Sequence, residues 1–198
     1  PHKKLTWVVD RSEDVEFKPP KGLKIEMIPP GKSLDAMLAE GELPAMINPY
    51  IPKPIVSGDR RVARLFPNYE EVELEYLRQT GIFPIMHVTV IKQEIVDKYP
   101  WAATSLVKAF DKAKQMAYRR VVNPRVVPLA WFSAAWDKER KVLGPDPWAY
   151  GLGEANRKNL KTIVRYCHQQ GLIGREMSLK ELFLDTDPGD AGGDEGHY

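Results

Sequence analysis

The chain changes character near residue 92. Before this point, short apolar segments such as 5–9 and 23–28 alternate with charged or proline-containing loops, which predicts short strands. After this point, apolar residues recur at helical spacing, which predicts helices. A strand–helix–strand order at the start favours an α/β sheet. In such sheets, ligands bind beyond the carboxyl ends of the strands, and this directs attention to the loops of the first half.

The first half contains two helices with clear boundaries. Ser33 is placed to cap a short helix that runs to Glu40 and is closed by Gly41. Asn68 and Glu71 resemble a capping box at the start of a second helix. Its last turn ends at Gly81.

Two further apolar segments of the first half are predicted to be strands. Residues 45–47 form a short run that ends in a loop at 48–54, where three prolines within six residues forbid regular structure. Residues 82–91 are rich in β-branched side chains and are interrupted by Pro84.

The second half is predicted to be helical. A long helix opens at Pro100 and Trp101, and another covers roughly 129–140. The core face of the long helix is predicted to comprise Leu106, Ala109, Phe110, Ala113 and Ala117. A proline- and aromatic-rich loop follows at 144–151, and then a helix from about 153 to 170.

The last elements are a capping box and a tail. Ser178 and Glu181 predict a short final helix. Residues 185–198 are acidic, glycine-rich and poor in apolar side chains, which predicts a disordered tail.

Composition excludes several classes of protein. The 29 Lys and Arg nearly balance the 27 Asp and Glu, so no general attraction to nucleic acid or anionic lipid is expected. No apolar run is long enough to span a membrane. Cys167 is the single cysteine, which excludes internal disulfides and multi-cysteine metal sites. The sequence begins at Pro1 and leads directly into a strand, which suggests that it starts within a domain.

His87 is the most conspicuous candidate for chemistry. It is the only titratable side chain in an otherwise apolar segment, 81–88. Burial there would lower the pKa of the imidazole and suit it to proton transfer near neutral pH. The alternative is a core histidine bonded to a backbone carbonyl.

Three other groups of side chains are candidates for binding. Arginines follow a Ser-Gly turn and could clamp carboxylates, or could be a solvated surface run; they are Arg60, Arg61 and Arg64. Asn48 and Tyr50 offer an amide and a phenol at a predicted strand end, or form a rigid turn. Trp148 and Tyr150 could line an aromatic pocket or simply pack.

The order and spacing of several segments resemble the 4,5-dihydroxyphthalate decarboxylase family. The segments are RLFPNY at 64–69, TGIFPIMHV at 80–88, YPWA at 99–102, DPWAYG at 146–151, NR at 156–157 and QGL at 170–172. The similarity covers about residues 5–184, which would be the C-terminal two-thirds of such a protein.

The resemblance implies a type 2 periplasmic-binding-protein-like fold, with two α/β lobes and a ligand cleft between them. Residues 1–80 would be part of the second lobe. Residues 81–184 would supply a crossover strand and the helical part of the first lobe. The N-terminal part of the first lobe would be missing from this sequence.

The same resemblance implies loss of one carboxylate from 4,5-dihydroxyphthalate, giving protocatechuate and CO2. His87 would be the acid/base group. Arg64, or one of Arg60 and Arg61, would hold the retained carboxylate. Asn48 and Tyr50 would bond substrate oxygens, and Trp148 or Tyr150 would stack on the ring.

Other functional expectations follow from the resemblance. The enzyme would be cytoplasmic and would need no organic cofactor, although a catechol-like substrate could supply two ligands to a divalent metal. Its partner would be a small aromatic carboxylate rather than nucleic acid or membrane, and a homo-oligomer is left open. The competing class is a non-catalytic solute-binding protein of a transporter, which would use the same fold to capture a small organic acid.

Overall fold

The computed structural model describes residues 4–15, 18–123 and 125–186. The chain divides into two compact units. One comprises Pro1–Gly81 and Arg165–Glu176, and the other comprises Ile82–Val164 and Met177–Tyr198. The part of the chain that the structure describes is a mostly helical α/β protein with one small parallel sheet.

The sheet of the first unit pairs two short strands in parallel. Strand β1, Thr6–Val9, lies beside β2, Lys24–Met27, with Thr6 opposite Lys24 and Val9 opposite Met27. Both strands confirm the prediction from their apolar, β-branched sequence. A further hydrogen bond of 2.9 Å from the Ile28 amide to the Val9 carbonyl extends the pairing.

The helices of the first unit begin and end largely where the sequence predicts. Helix α1, Leu34–Ala39, is capped by Ser33, whose hydroxyl accepts from the Ala36 amide at 3.2 Å. A short helix α2, Lys53–Val56, begins within the proline-rich loop, so the prediction that residues 48–54 have no regular structure is wrong at its end: the first turn of a helix accommodates Pro54. Helix α3, Tyr69–Thr80, ends at Gly81, which adopts the left-handed conformation (φ 63°) that a residue without a Cβ reaches most easily.

The second unit is helical in its described part. Its helices are α4 (Gln93–Lys98), α5 (Trp101–Val121), α6 (Phe132–Leu143), α7 (Glu154–Gln169) and α8 (Leu179–Leu182). The last residues of α7 belong to the first unit. The capping box of Ser178 and Glu181 at α8 is formed as predicted, with the Ser178 amide donating to Glu181 at 2.8 Å. No helix in the described ranges is long and apolar enough to cross a lipid bilayer.

Two strand predictions are wrong. Residues 45–47 and 82–91 contain no helix or strand. A strand is stable only when its backbone groups pair with a neighbour, and the described ladder contains β1 and β2 alone. Pro84 also removes one donor from the second segment. High β-propensity therefore did not suffice to form a strand.

The predicted core face of α5 is also wrong. Leu106 and Phe110 are 40% and 41% exposed. The less exposed side of the helix is shifted by one residue from the predicted side, so that it includes Lys114, which is buried, instead of Ala113. The residues on this side are Thr104, Val107, Asp111, Lys114, Tyr118 and Val121. The buried residue of this helix is therefore Lys114 rather than an apolar side chain.

Buried apolar side chains are few among the described residues and include Met37 in α1, Leu160 in α7 and Leu179 in α8. The domain boundaries expected from the sequence, with lobes meeting near residue 81, stay a prediction. The tail predicted at 185–198 lies outside the described residues, apart from Asp185 and Thr186.

Candidate functional site

The loop that carries Asn48 and Tyr50 forms a turn closed by a side chain. Oδ1 of Asn48 accepts a 2.9 Å hydrogen bond from the Tyr50 amide, which is the geometry of an Asx turn. The Asn48 oxygen therefore has a structural role. The Tyr50 side chain is 80% exposed and its phenol is accessible to a ligand.

One of the three candidate arginines is engaged by a neighbouring carboxylate. Nη2 of Arg61 lies 2.7 Å from Oδ2 of Asp59, and its Nε lies 3.1 Å from Oδ1. Hydrogen bonds from the Arg61 side chain and backbone lower the pKa of Asp59 to about 2. A bidentate pair of this kind already occupies the fork that would hold a substrate carboxylate.

The other two arginines remain exposed. The Arg64 guanidinium lies 4.9 Å from the centre of the Tyr69 ring, a cation–π contact at the start of α3. The guanidinium is exposed, so it is accessible to a carboxylate. Arg60 is exposed as well.

His87 lies in the segment between α3 and α4 that has no regular structure. The residue is exposed, as are Met86 (73%) and Val88 (57%) on either side of it. The expectation that an apolar segment would bury the imidazole is therefore wrong, because the segment has no partner strand to cover it. The imidazole is accessible to a ligand.

The loop at 144–151 is the best-organised candidate element. Several of its residues contact Lys114 of α5, which is only 8% exposed. Nζ of Lys114 lies 2.5 Å from Oδ2 of Asp146 and 3.3 Å from the Trp148 carbonyl oxygen. The same ammonium lies 4.6 Å from the centre of the Tyr150 ring. One cation thus contacts three alternate residues of the loop.

The charge of Lys114 is balanced by two carboxylates. Besides Asp146, Oδ1 of Asp111 lies 3.0 Å from Nζ. Burial lowers the pKa of the Lys114 ammonium, but the hydrogen bonds to Asp146 and Asp111 outweigh this effect and raise the pKa above its ordinary value. Lys114 therefore stays charged at neutral pH and serves as a cation rather than as a base.

Tyr118 completes this cluster from the next turn of α5. Its hydroxyl donates to Oδ1 of Asp146 at 3.0 Å, so both carboxylate oxygens are engaged. Burial and the neighbouring Asp146 raise the pKa of Tyr118 to about 12. Its ring meets Trp136 of α6 edge-on, with centroids 5.6 Å apart. We call Lys114, Tyr118 and Asp146 the polar cluster.

The aromatic rings of the loop are held from several sides. Trp148 contacts Phe83 edge-on at 5.2 Å, and Tyr150 lies 6.4 Å from Phe110. Nδ2 of Asn156 in α7 donates to the Ala149 and Gly151 carbonyls at 2.8 and 2.9 Å. Even so, Trp148 and Tyr150 remain 45% and 50% exposed. The loop presents two fixed aromatic rings to solvent.

The sequence did not single out two members of the polar cluster. Lys114 and Tyr118 follow Phe110 at intervals of four, so the three side chains share one stripe of the helix. An ionisable residue midway between two aromatics on a helical stripe is the signal that could have identified them. Asp146 is a carboxylate within the 144–151 loop, and nothing in its spacing singles it out.

The structure places the candidate residues in two groups. Asn48, Tyr50 and the three arginines belong to the first unit, whereas His87, Trp148 and Tyr150 belong to the second. Their assembly into one site stays a prediction. Among the described residues, no group of three His, Cys, Asp or Glu side chains is placed to hold a metal ion.

Comparison with known proteins identifies one informative relative. The chain is 29% identical over 175 residues to 4,5-dihydroxyphthalate decarboxylase of Comamonas testosteroni. The matched region covers 87% of this chain and 53% of that protein, so the chain spans about half the length of the relative. This similarity supports a relationship at the level of the family. No protein-family profile matches the chain.

Proposed function

We propose that the chain belongs to a decarboxylase of dihydroxylated aromatic dicarboxylates, which converts 4,5-dihydroxyphthalate to protocatechuate and CO2. The observation that carries the proposal is the similarity to a 4,5-dihydroxyphthalate decarboxylase along 87% of the chain. The proposed architecture is a two-lobed, periplasmic-binding-protein-like enzyme located in the cytoplasm. Residues 1–80 belong to its second lobe and residues 81–184 to its first.

The structure of the substrate determines which groups such an enzyme must supply. Each carboxylate of 4,5-dihydroxyphthalate is para to a hydroxyl group. Removing the phenolic proton pushes electron density to the ring carbon that carries the carboxylate, and this carbon then takes up a proton. The bond to the carboxylate breaks, CO2 leaves, and its electron pair restores the aromatic ring. The enzyme must therefore provide an acid, a base and a cation for the retained carboxylate.

His87 is the proposed acid/base group. Imidazole donates and accepts protons near neutral pH, and the exposed position of His87 leaves the ring open to a bound substrate. In this role it accepts the phenolic proton or delivers a proton to the ring carbon. No other histidine of the described chain lies in an apolar segment of this kind.

Arg64 is the proposed partner of the retained carboxylate. It is exposed, and its guanidinium lies beside the Tyr69 ring. Arg60 is a second exposed cation, whereas Arg61 already binds Asp59. Tyr50 and the amide nitrogen of Asn48 are the proposed donors to a hydroxyl or carboxyl oxygen.

Trp148 and Tyr150 are the proposed stacking residues. Both rings are half-exposed, and each is fixed by contacts on its other side. A flat, electron-rich substrate gains from offset stacking on such a ring. The reaction as written needs no organic cofactor; a divalent metal bound through the two substrate hydroxyls is compatible with it.

Turnover is the direct test. The purified protein is incubated with 4,5-dihydroxyphthalate, with and without a chelator, and protocatechuate is followed by chromatography. Product in both samples supports the proposal, and product only without chelator adds a metal requirement. Saturable binding of the substrate without any product would overturn the proposal in favour of a solute-binding protein.

A further inference from the structure

A buried lysine that makes three contacts with one loop, besides its ion pair with Asp111, is the starting point. In the 144–151 loop, Lys114 contacts the Asp146 carboxylate, the Trp148 carbonyl and the Tyr150 ring. The loop turns at Pro147 and Trp148, and these alternate residues all reach the ammonium. A single buried ammonium that contacts three such residues therefore fixes the path of the loop.

Stability alone does not account for this arrangement. Removing an ammonium from water costs several kcal/mol, and a buried ion pair rarely stabilises a fold more than a well-packed apolar pair would. What the ion pair adds is geometry. Asp146 is held through both oxygens, by Lys114 on one side and by Tyr118 on the other, so its position has little freedom.

The part of the loop that stays open is aromatic. Asp146 and the carbonyls of Trp148, Ala149 and Gly151 are all engaged by side chains of helices α5 and α7. The Trp148 and Tyr150 rings nevertheless keep about half of their surface exposed. Rings fixed in advance lose less conformational freedom when a ligand binds to them.

We propose that Lys114 and Asp146 are positioning residues that fix the 144–151 loop, so that Trp148 and Tyr150 are held for stacking on the aromatic substrate. The inference rests on the proposed function for the identity of the substrate. It does not require Lys114 or Asp146 to touch the substrate, and it assigns neither of them a proton transfer.

The first test measures the environment of Trp148 in the loop by fluorine NMR and does not depend on catalysis. The full chain is labelled with 5-fluorotryptophan, and the Trp148 resonance is assigned with Trp148→Phe. Lys114→Met, which keeps most of the side-chain volume, is expected to shift or broaden the Trp148 line and leave the Trp7 line in place. Lys112→Met is the control, because Lys112 is an exposed lysine of the same helix. An unmoved Trp148 line in a folded Lys114→Met chain would overturn the proposal.

A second variant covers the case in which Lys114→Met fails to fold. Asp146→Asn keeps the shape of the side chain and leaves Lys114 its contact with Asp111. It is expected to move the Trp148 line in the same sense. If Lys114→Met is unfolded by circular dichroism and Asp146→Asn leaves the line unmoved, the proposal is wrong.

The second test separates positioning from loss of folded protein. Stacking on the ring acts on substrate and transition state alike, so Lys114→Met should raise KM about five-fold to ten-fold and leave kcat within about two-fold. Lys114→Arg, which keeps the positive charge, should bring KM part of the way back to the wild-type value. A lower kcat at unchanged KM would indicate a purely structural role and overturn the proposal.

The experiments distinguish a failure of this proposal from a failure of the proposed function. If the wild-type protein forms no protocatechuate, the decarboxylase proposal fails, while the fluorine spectra still decide whether Lys114 positions the loop. If the wild type is active and the Trp148 line moves without any change in KM, the stacking role fails and the decarboxylase stands.

Discussion

The Tyr118 hydroxyl donates a 3.0 Å hydrogen bond to Oδ1 of Asp146, whose other oxygen accepts from Lys114. The carboxylate thus lies between a phenol and an ammonium. Ionising Tyr118 would place a second negative charge against Asp146 and cost the hydrogen bond. Burial and this contact together raise the pKa of Tyr118 to about 12.

The stability of the protein should therefore fall at high pH through Tyr118. The phenol of an unfolded chain ionises near pH 10. Between about pH 10 and pH 12 the unfolded state loses this proton and the folded state keeps it, so the free energy of unfolding decreases with pH. Below pH 10 both states are protonated and the contribution is fully present. Urea unfolding at several pH values measures the slope.

Tyr118→Phe provides the matched comparison. It should remove the last tyrosine ionisation seen in absorbance at 295 nm and flatten the pH dependence of unfolding between pH 10 and pH 12. Tyr76→Phe, in helix α3 of the first unit, should leave both unchanged. A late ionisation that persists in Tyr118→Phe would contradict the assignment.

The Asp59–Arg61 pair should make the free energy of unfolding fall at low pH, whereas Tyr118 makes it fall at high pH. Hydrogen bonds from Arg61 lower the pKa of Asp59 to about 2. Above the usual aspartate pKa, near 4, the contact is fully formed, and its contribution is lost as the pH falls towards 2. Carbon-detected NMR of the Asp59 carboxyl should show this low titration. Arg61→Gln should return it to the usual range, and an unchanged titration would contradict the pairing.

Because Arg61 already binds Asp59, the three arginines should differ in how much each contributes to binding the substrate carboxylate. Arg64→Gln should raise KM for the dicarboxylate by about 10-fold to 100-fold, the effect expected when a charged hydrogen bond is lost. Arg61→Gln should change KM less, because its guanidinium already binds Asp59. Steady-state kinetics of the two variants and of Arg60→Gln test the order. A larger effect at Arg61 than at Arg64 would reverse it.

His87 should affect the rate rather than binding. His87→Gln keeps a polar side chain and removes the titrating group, so kcat should fall about 100-fold to 10,000-fold with a small change in KM. His168→Gln is the control, since His168 lies exposed at the end of α7. Near wild-type turnover in His87→Gln would remove His87 from the mechanism.

Local signals predicted the elements whose causes are local. Ser33, Gly81 and the Ser178–Glu181 capping box mark helix ends through hydrogen bonds and backbone angles within a few residues. Strands β1 and β2 were also predicted, because both segments carry β-branched or long apolar side chains, whereas their pairing was not.

Elements that depend on distant partners were not predictable in this way. Residues 82–91 have a strong strand composition, but a ladder needs a second strand, and composition does not say whether one is present. The covered face of α5 depends on Asp146, which lies 32 residues after Lys114. No periodicity within the helix records that contact. Trp148 and Tyr150 were named as candidates from the sequence, whereas Lys114 and Tyr118, which lie beside them or beside Asp146, were not.

Gly171 offers a test of close packing with a matched control elsewhere in the same unit. Its φ is 77° and that of Gly41 is 78°, so alanine is equally strained in backbone conformation at both positions. A Cβ at Gly41 meets nothing within 4 Å, whereas one at Gly171 would lie 2.9 Å from Cγ of Pro20. The difference between the two variants therefore isolates this contact.

Gly171→Ala should destabilise the protein more than Gly41→Ala. Both pay about 1–2 kcal/mol for a left-handed residue with a Cβ, and Gly171→Ala adds about 1–3 kcal/mol because the rigid Pro20 ring must move. Urea unfolding of both variants, followed by circular dichroism, measures the difference. Pro20→Ala in the Gly171→Ala background should recover most of the added loss, since it removes the atom that clashes. Equal destabilisation of the two glycine variants would show that Pro20 does not pack against this helix end.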